Sequence, residues 1–237
     1  MKIYITRHGQ VCPNEFFGST DFPHGDIPLS DVGKKQAICL GNQLKKAGFK
    51  GKIISSPYRR TMMTATAVSD ICSVGIYPDG ALREMFFSDE SANEFSGMTL
   101  DELKAEFPNV ADDAVLSYPW WTRHSDTNEE IIKRLEKFWD EITVTDEEEL
   151  LVVCHGASFY GTICYFNKKS GLGLTDDVKE MANYLAERNL NCGISYIEID
   201  NDGKLVSAKL FSTEHLSNEL LTSNSNKKPR PEVVEKQ

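Results

Sequence analysis

His8 stands where an imidazole could act as a nucleophile: Arg7 precedes it, Gly9 follows it, and the apolar run Ile3, Tyr4, Ile5 leads straight into it. A histidine that attacks a phosphoryl group needs a guanidinium beside it to hold the oxygens. It also needs a small neighbour, so that the dianion can come within bonding distance. The same arrangement recurs along the chain. His155 and Gly156 follow the apolar run Leu150 to Val153, and Ser55, Ser56 and Arg60 follow Lys52 to Ile54. Leu82-Arg83-Glu84 offers an acid after Ile76 and Tyr77. A lone Arg-His-Gly arises by chance, and one histidine is more often a packing residue. Histidines and arginines at the ends of successive apolar runs are harder to explain by packing, and a phosphoryl site accounts for all of them.

Elements must bring these residues together. Short apolar runs without helical spacing suit strands buried in a sheet, whose carboxyl ends are where open α/β sheets place ligands. Ser30 and Asp31 can cap a helix with Ala37, Leu40, Leu44 and Ala47 on one face, ended by Gly48. Pro57 suits the first turn of a helix running to about Ile71. A helix is expected from Asp101 to Phe107. Thr127 with Glu130 forms a capping box for a long amphipathic helix carrying Ile131, Leu135, Phe138 and Ile142. Residues 159–166 read as helical, Thr175 as the cap of a helix to about Arg188, and 194–199 and 204–210 as strands joined by a turn at Asn201-Asp202-Gly203. Val11 to Leu29 reads as a long loop over the site. Residues 86–125, with Tyr118, Trp120 and Trp121, read as a cover inserted over it.

The expected fold is therefore α/β, a three-layer α/β/α sandwich with a mostly parallel central sheet and an inserted helical and loop cover. One domain is expected over residues 1–221, followed by a disordered polar tail at 222–237. The 237 residues carry a formal charge of -10, and the tail holds four basic and two acidic side chains, so the body stands at -12. Such a body repels nucleic acid and anionic membrane, and a bound phosphate ester needs a local arginine cluster to overcome that field. The six cysteines form no CxxC pair, and no leader or membrane-spanning run is visible, which points to a reduced, cytoplasmic protein.

Taken together, the motifs resemble those of the histidine phosphatase superfamily, also called phosphoglycerate mutase-like. They are Arg-His-Gly at 7–9 with Asn14, Pro-Leu-Ser at 28–30 with Gly33 and Gln36, and Ser-Ser-Pro-Tyr-Arg-Arg at 55–60 leading into Thr64-Ala65. Leu-Arg-Glu at 82–84 and His-Gly at 155–156 follow, with weaker echoes at Asn191-Cys192 and His215-Leu216. The resemblance implies that His8 becomes phosphohistidine and that Arg7, Arg60, Asn14 and His155 hold the phosphoryl oxygens. It makes Glu84 the general acid. Spacing from Ser55-Ser56-Pro57 favours Arg60 over Arg59, and no metal or other cofactor is implied. In the family an aromatic-Gly, Glu-Gly segment closely follows the acid, whereas here nine residues separate Glu84 from Glu94, so Asp89, Glu90 and Glu94 stand as alternative acids.

Rival chemistries fit less well. No cysteine has an arginine six positions on, Asp200 and Asp202 lie in what reads as a hairpin turn, and the histidines lack zinc spacing. Trp120 and Trp121 are expected in the core, while Arg123 and His124 lie either at a substrate's far end or in a solvated loop. The expected activity is metal-independent hydrolysis of a small phosphate ester. The alternatives are phosphoglycerate mutase-type transfer and a catalytically weak phosphate-binding protein. Between Met85 and Leu103 there is no Arg or Lys, an acidic cover unsuited to the bisphosphate that a mutase must retain. Substrate and oligomeric state are not legible.

Overall fold

The computed structural model describes residues 1–12, 26–223 and 234–236. Its centre is β1 (Lys2–Arg7), which pairs on one side with β4 (Glu149–Cys154) in parallel and on the other with β5 (Ile194–Ile199) in antiparallel register. Outward from β4 lie β2 (Lys52–Ser55) and β3 (Ile76–Pro78), both parallel. Outward from β5 lie β6 (Leu205–Ser212) and β7 (Val234–Lys236), both antiparallel. Among the described residues the sheet order is β3-β2-β4-β1-β5-β6-β7. Parallel pairing is thus confined to the half that carries the motif residues, and the sheet is mixed rather than mostly parallel. Val234–Lys236, within the stretch read as a disordered tail, belong to β7.

Helices cover both faces, so the central strands are apolar on both sides and show no alternation. Ile3, Ile5, Leu150 and Val152 pack toward α5 (Asn128–Ile142), α6 (Gly156–Ser170) and α7 (Val178–Arg188). Leu151 and Val153 pack toward α1 (Asp31–Lys46), α2 (Arg59–Cys72) and α4 (Leu100–Glu106). The caps at Ser30 and the Thr127–Glu130 box form as expected. Two expected starts move. α2 starts at Arg59 with Tyr58 as its N-cap, so Pro57 lies before the first turn, and α7 begins after Asp177, whose carboxylate takes the Glu180 amide while Thr175 bonds the Glu180 side chain.

The cover contains α3 (Asp89–Glu94), which the sequence reading missed, together with α4. Its core is an aromatic cluster of Phe86, Phe95, Trp120 and Trp121 packed on Tyr58. Both tryptophans are buried, as expected. Gly97 is required there, since a Cβ would lie 2.0 Å from the Trp120 ring. The ends of the 11–29 loop are pinned by a bridge between Val11 and Leu29, and residues 13–25, including Asn14, lie outside the described residues.

Candidate active site

The carboxyl ends of β1, β2 and β4 lie side by side. His8 donates its amide to the Cys154 carbonyl and Ser56 donates to that of Val153, which fixes the three exits relative to one another. The far side of β1 is secured by Asn191, whose amide donates to the His8 carbonyl, and by the Cys192 amide, which donates to that of Arg7. Gly9 and Gly33 are both dictated by close approach. A Cβ on Gly9 would sit 2.6 Å from the Gly33 carbonyl oxygen, and one on Gly33 would sit 2.0 Å from that of Gln10. The Thr64 hydroxyl receives the Gly9 amide and the Gln36 side chain receives that of Gln10, so these motif residues shape the turn after β1.

The His8 ring is buried, with its Nδ1 2.7 Å from the carbonyl oxygen of Gly9. A carbonyl only accepts, so Nδ1 carries the proton and Nε2 keeps its lone pair. Burial, followed by the Arg60 and Arg7 cations, holds the imidazole well below the usual histidine range, against the opposing Gly9 bond. His8 is thereby neutral, the form that can attack.

His155 faces it, the ring centroids 5.2 Å apart. Burial, then Arg60, His8, Arg7 and Arg134, hold His155 low as well. Its Nε2 lies 2.8 Å from the Ser56 hydroxyl. Its Nδ1 is buried, has no hydrogen-bond partner among the described residues, and lies 3.9 Å from a Glu84 oxygen, beyond hydrogen-bond reach. The Nε of Arg7 is likewise buried without a partner among the described residues. An unpaired buried donor is costly, so Arg7 Nε marks a place for an acceptor, and His155 Nδ1 joins it in the tautomer in which the Ser56 hydroxyl donates to Nε2.

The neighbouring arginines diverge. The Arg60 guanidinium lies 4.3 Å from the Tyr58 ring centroid and 3.9 Å from Asp26, and it acts electrostatically on both histidines. Arg59 turns outward to pair with Glu106 and contacts the Met98 sulfur. Asp26, which sequence reading did not single out, accepts the Arg59 amide and so caps α2 in place of a side chain at Tyr58. Burial raises its carboxyl to about 6, against Arg60, the Arg59 amide and the Arg59 charge. Arg60→Ala is expected to lower kcat/KM by about 10- to 100-fold, the equivalent of ~1.5–3 kcal/mol for a charge-assisted contact. Arg59→Ala should cost less than about threefold. Steady-state kinetics on both variants checks this, and a larger loss in Arg59→Ala would reverse the assignment.

The four candidate acids separate clearly. Glu84 accepts the Met85 and Ala157 amides on one oxygen, the latter at the N-terminus of α6, and turns the other toward His155. Asp89, Glu90 and Glu94 are exposed on α3, and Asp89 is engaged by the Ser125 amide and hydroxyl. Arg123 donates to the Asn93 and Phe95 carbonyls, closing the end of α3. Beside Glu84 lies a buried ionic cluster that no sequence signal marked. Arg83 makes a bidentate pair with Asp126 at 2.7 and 2.6 Å, and Arg134 of α5 lies 3.4 Å from the same carboxylate.

A model of the histidine phosphatase superfamily (branch 1) matches residues 3–209. The chain belongs to this superfamily. It is 32% identical over 177 residues, 73% of the chain and 80% of the relative, to a Hydrogenobacter thermophilus protein named "Putative phosphoserine phosphatase 2". A Yersinia pestis protein named "Probable phosphoglycerate mutase GpmB" is 31% identical over 85 residues, only 36% of this chain and 38% of that protein. Among solved structures, the ecdysone phosphate phosphatase of the silkworm in complex with tungstate shares the fold at a TM-score of 0.63 and 19% identity, covering 86% of this chain and 91% of that one. The protein is accordingly a histidine phosphatase, a phosphoric monoester hydrolase. Among the described residues no helix is long and apolar enough to cross a membrane.

Proposed function

We propose that this histidine phosphatase hydrolyses a small phosphate monoester through a phosphohistidine on His8, without a metal ion. The observation that carries this reading is the pairing of a neutral, buried His8, its Nε2 lone pair free, with the facing His155 ring and with the buried Arg7 Nε, a donor that lacks a partner among the described residues. In the first step His8 Nε2 attacks phosphorus in line with the ester oxygen. Arg7, Arg60 and His155 take the charge on the remaining oxygens, and Glu84 gives its proton to the departing alkoxide. In the second step the Glu84 carboxylate removes a proton from water, the resulting hydroxide attacks phosphorus, and His8 leaves as neutral imidazole. Positioning and electrostatics supply most of the rate in phosphoryl transfer, and two guanidinium groups with a second imidazole supply them here.

The relative named for phosphoserine covers most of the chain, which puts phosphoserine first among the esters to test. All six cysteines are free thiols, in keeping with the cytoplasm. Hydrolysis is favoured over mutase transfer because the cover presents exposed Asp89, Glu90 and Glu94 and no basic side chain between Met85 and Leu103. Phosphoserine should release free phosphate, and with 3-phosphoglycerate, in the presence and absence of 2,3-bisphosphoglycerate, free phosphate should exceed isomerised product at least about tenfold, in each case equally in excess chelator. Fast isomerisation that depends on the bisphosphate would overturn hydrolysis, and loss of rate in chelator would overturn metal independence.

A further inference from the structure

Glu84 lies on a stretch with neither helix nor strand, between a 3₁₀ turn ending at Leu82 and the start of α3 at Asp89. No ladder of backbone bonds holds such a segment, yet an acid that must meet a leaving oxygen has to be placed within a fraction of an ångström. The buried ionic cluster beside it provides that hold. Arg83 donates to the Glu84 carbonyl at 3.1 Å, and Arg134 donates to the Arg83 carbonyl at 3.1 Å. Asp126 accepts the Phe86 amide at 2.9 Å and returns its own amide to the Phe86 carbonyl at 2.9 Å. The backbone on both sides of Glu84 is therefore tied to three charged side chains. Two of them are anchored on α5, Arg134 within it and Asp126 directly before its cap residue Thr127.

We propose that Asp126, with Arg83 and Arg134, is a positioning device that sets Glu84 against the leaving-group oxygen. This rests on the reading of Glu84 as the general acid. None of the three residues is assigned contact with the ester, so they act through Glu84. A buried ion pair gives little net stability over an apolar replacement of equal volume, so stability alone is a poor reason for charge here. Placement of the acid is the reason the geometry supplies.

The test is kcat/KM, which in a phosphohistidine mechanism covers the steps up to departure of the alcohol. It is measured with phosphoserine, a poor leaving group, and 4-nitrophenyl phosphate, a good one. Asp126→Asn and Arg134→Gln are each made alone and together with Glu84→Gln. Each single variant is expected to lose about tenfold or more on phosphoserine and less than about threefold on the aryl ester, a share of the 10²–10⁴ a general acid contributes. In the Glu84→Gln background the selective loss should vanish. Arg134→Gln leaves the Arg83–Asp126 pair intact and carries the test if Asp126→Asn does not fold. Equal losses on both esters, or a selective loss that persists without Glu84, would overturn the positioning role while leaving Glu84 as the acid. If Glu84→Gln itself shows no leaving-group selectivity, the acid assignment falls and the positioning role falls with it.

Discussion

His8→Ala is expected to lose turnover by about 10⁴-fold or more, ~5 kcal/mol or greater in the barrier, because it removes the group that carries the phosphoryl between the two steps. The fold should survive. β1 is held by Ile3 and Ile5 in the core and by ladders to β4 and β5, whereas the imidazole contributes one local bond to Gly9 and a face toward His155. A stability loss of about 1 kcal/mol, or a Tm lower by roughly 2–4 °C, is what one such bond and a small cavity imply. Rapid mixing with substrate, followed by quenching in alkaline denaturant, should leave acid-labile, alkali-stable phosphate on the wild type and none on the variant. Because burial and two guanidinium groups disfavour imidazolium, His8 should remain neutral as pH falls through 6.5 and protonate only well below it. Nitrogen-15 chemical shifts across a pH titration read this directly. Substantial turnover in His8→Ala, or an imidazole cationic at pH 6.5, would remove His8 as the nucleophile.

The parallel half of the sheet was legible because its strands are short apolar runs, each ending in a residue whose chemistry has no place in a core. His8, Ser55 with Ser56, and His155 all stand at such exits, and the backbone bonds between β1, β2 and β4 bring them together. Gln36 and Thr64 were visible as motif residues, but their task, holding the turn at Gly9 and Gln10, depends on contacts 26 and 55 residues apart in sequence. What could not be read is of the same kind. Asp26 looks like an ordinary loop acid and becomes the buried partner of the α2 N-terminus and Arg60 only when the chain closes. Asp126 precedes a capping box that explains its neighbourhood locally, so nothing in the pattern points 43 residues back to Arg83. The strands β5 and β6 were legible at 194–199 and 204–210 but β7 was not, and α7 starts where local signals, Thr175 against Asp177, compete on nearly equal terms.

Glu84→Gln is the second large effect, and its signature is selectivity. An alkoxide leaving group is strongly basic and must be protonated as the bond to phosphorus breaks, whereas 4-nitrophenolate departs unaided. The amide keeps the length and one acceptor oxygen, so the Met85 and Ala157 bonds can persist while the transferable proton is lost. On phosphoserine the variant should fall by about 10²–10⁴-fold in kcat/KM and on 4-nitrophenyl phosphate by about tenfold or less. The water-activating role adds a second mark. With the aryl ester, phosphorylation of His8 should outrun its hydrolysis, so phosphoenzyme accumulates in Glu84→Gln to a higher steady-state level than in the wild type. Asp89→Asn, Glu90→Gln and Glu94→Gln, exposed on α3, should change neither ester by more than about twofold. Equal losses on the two esters in Glu84→Gln, with the selective loss appearing instead in one of the α3 variants, would move the acid to that residue.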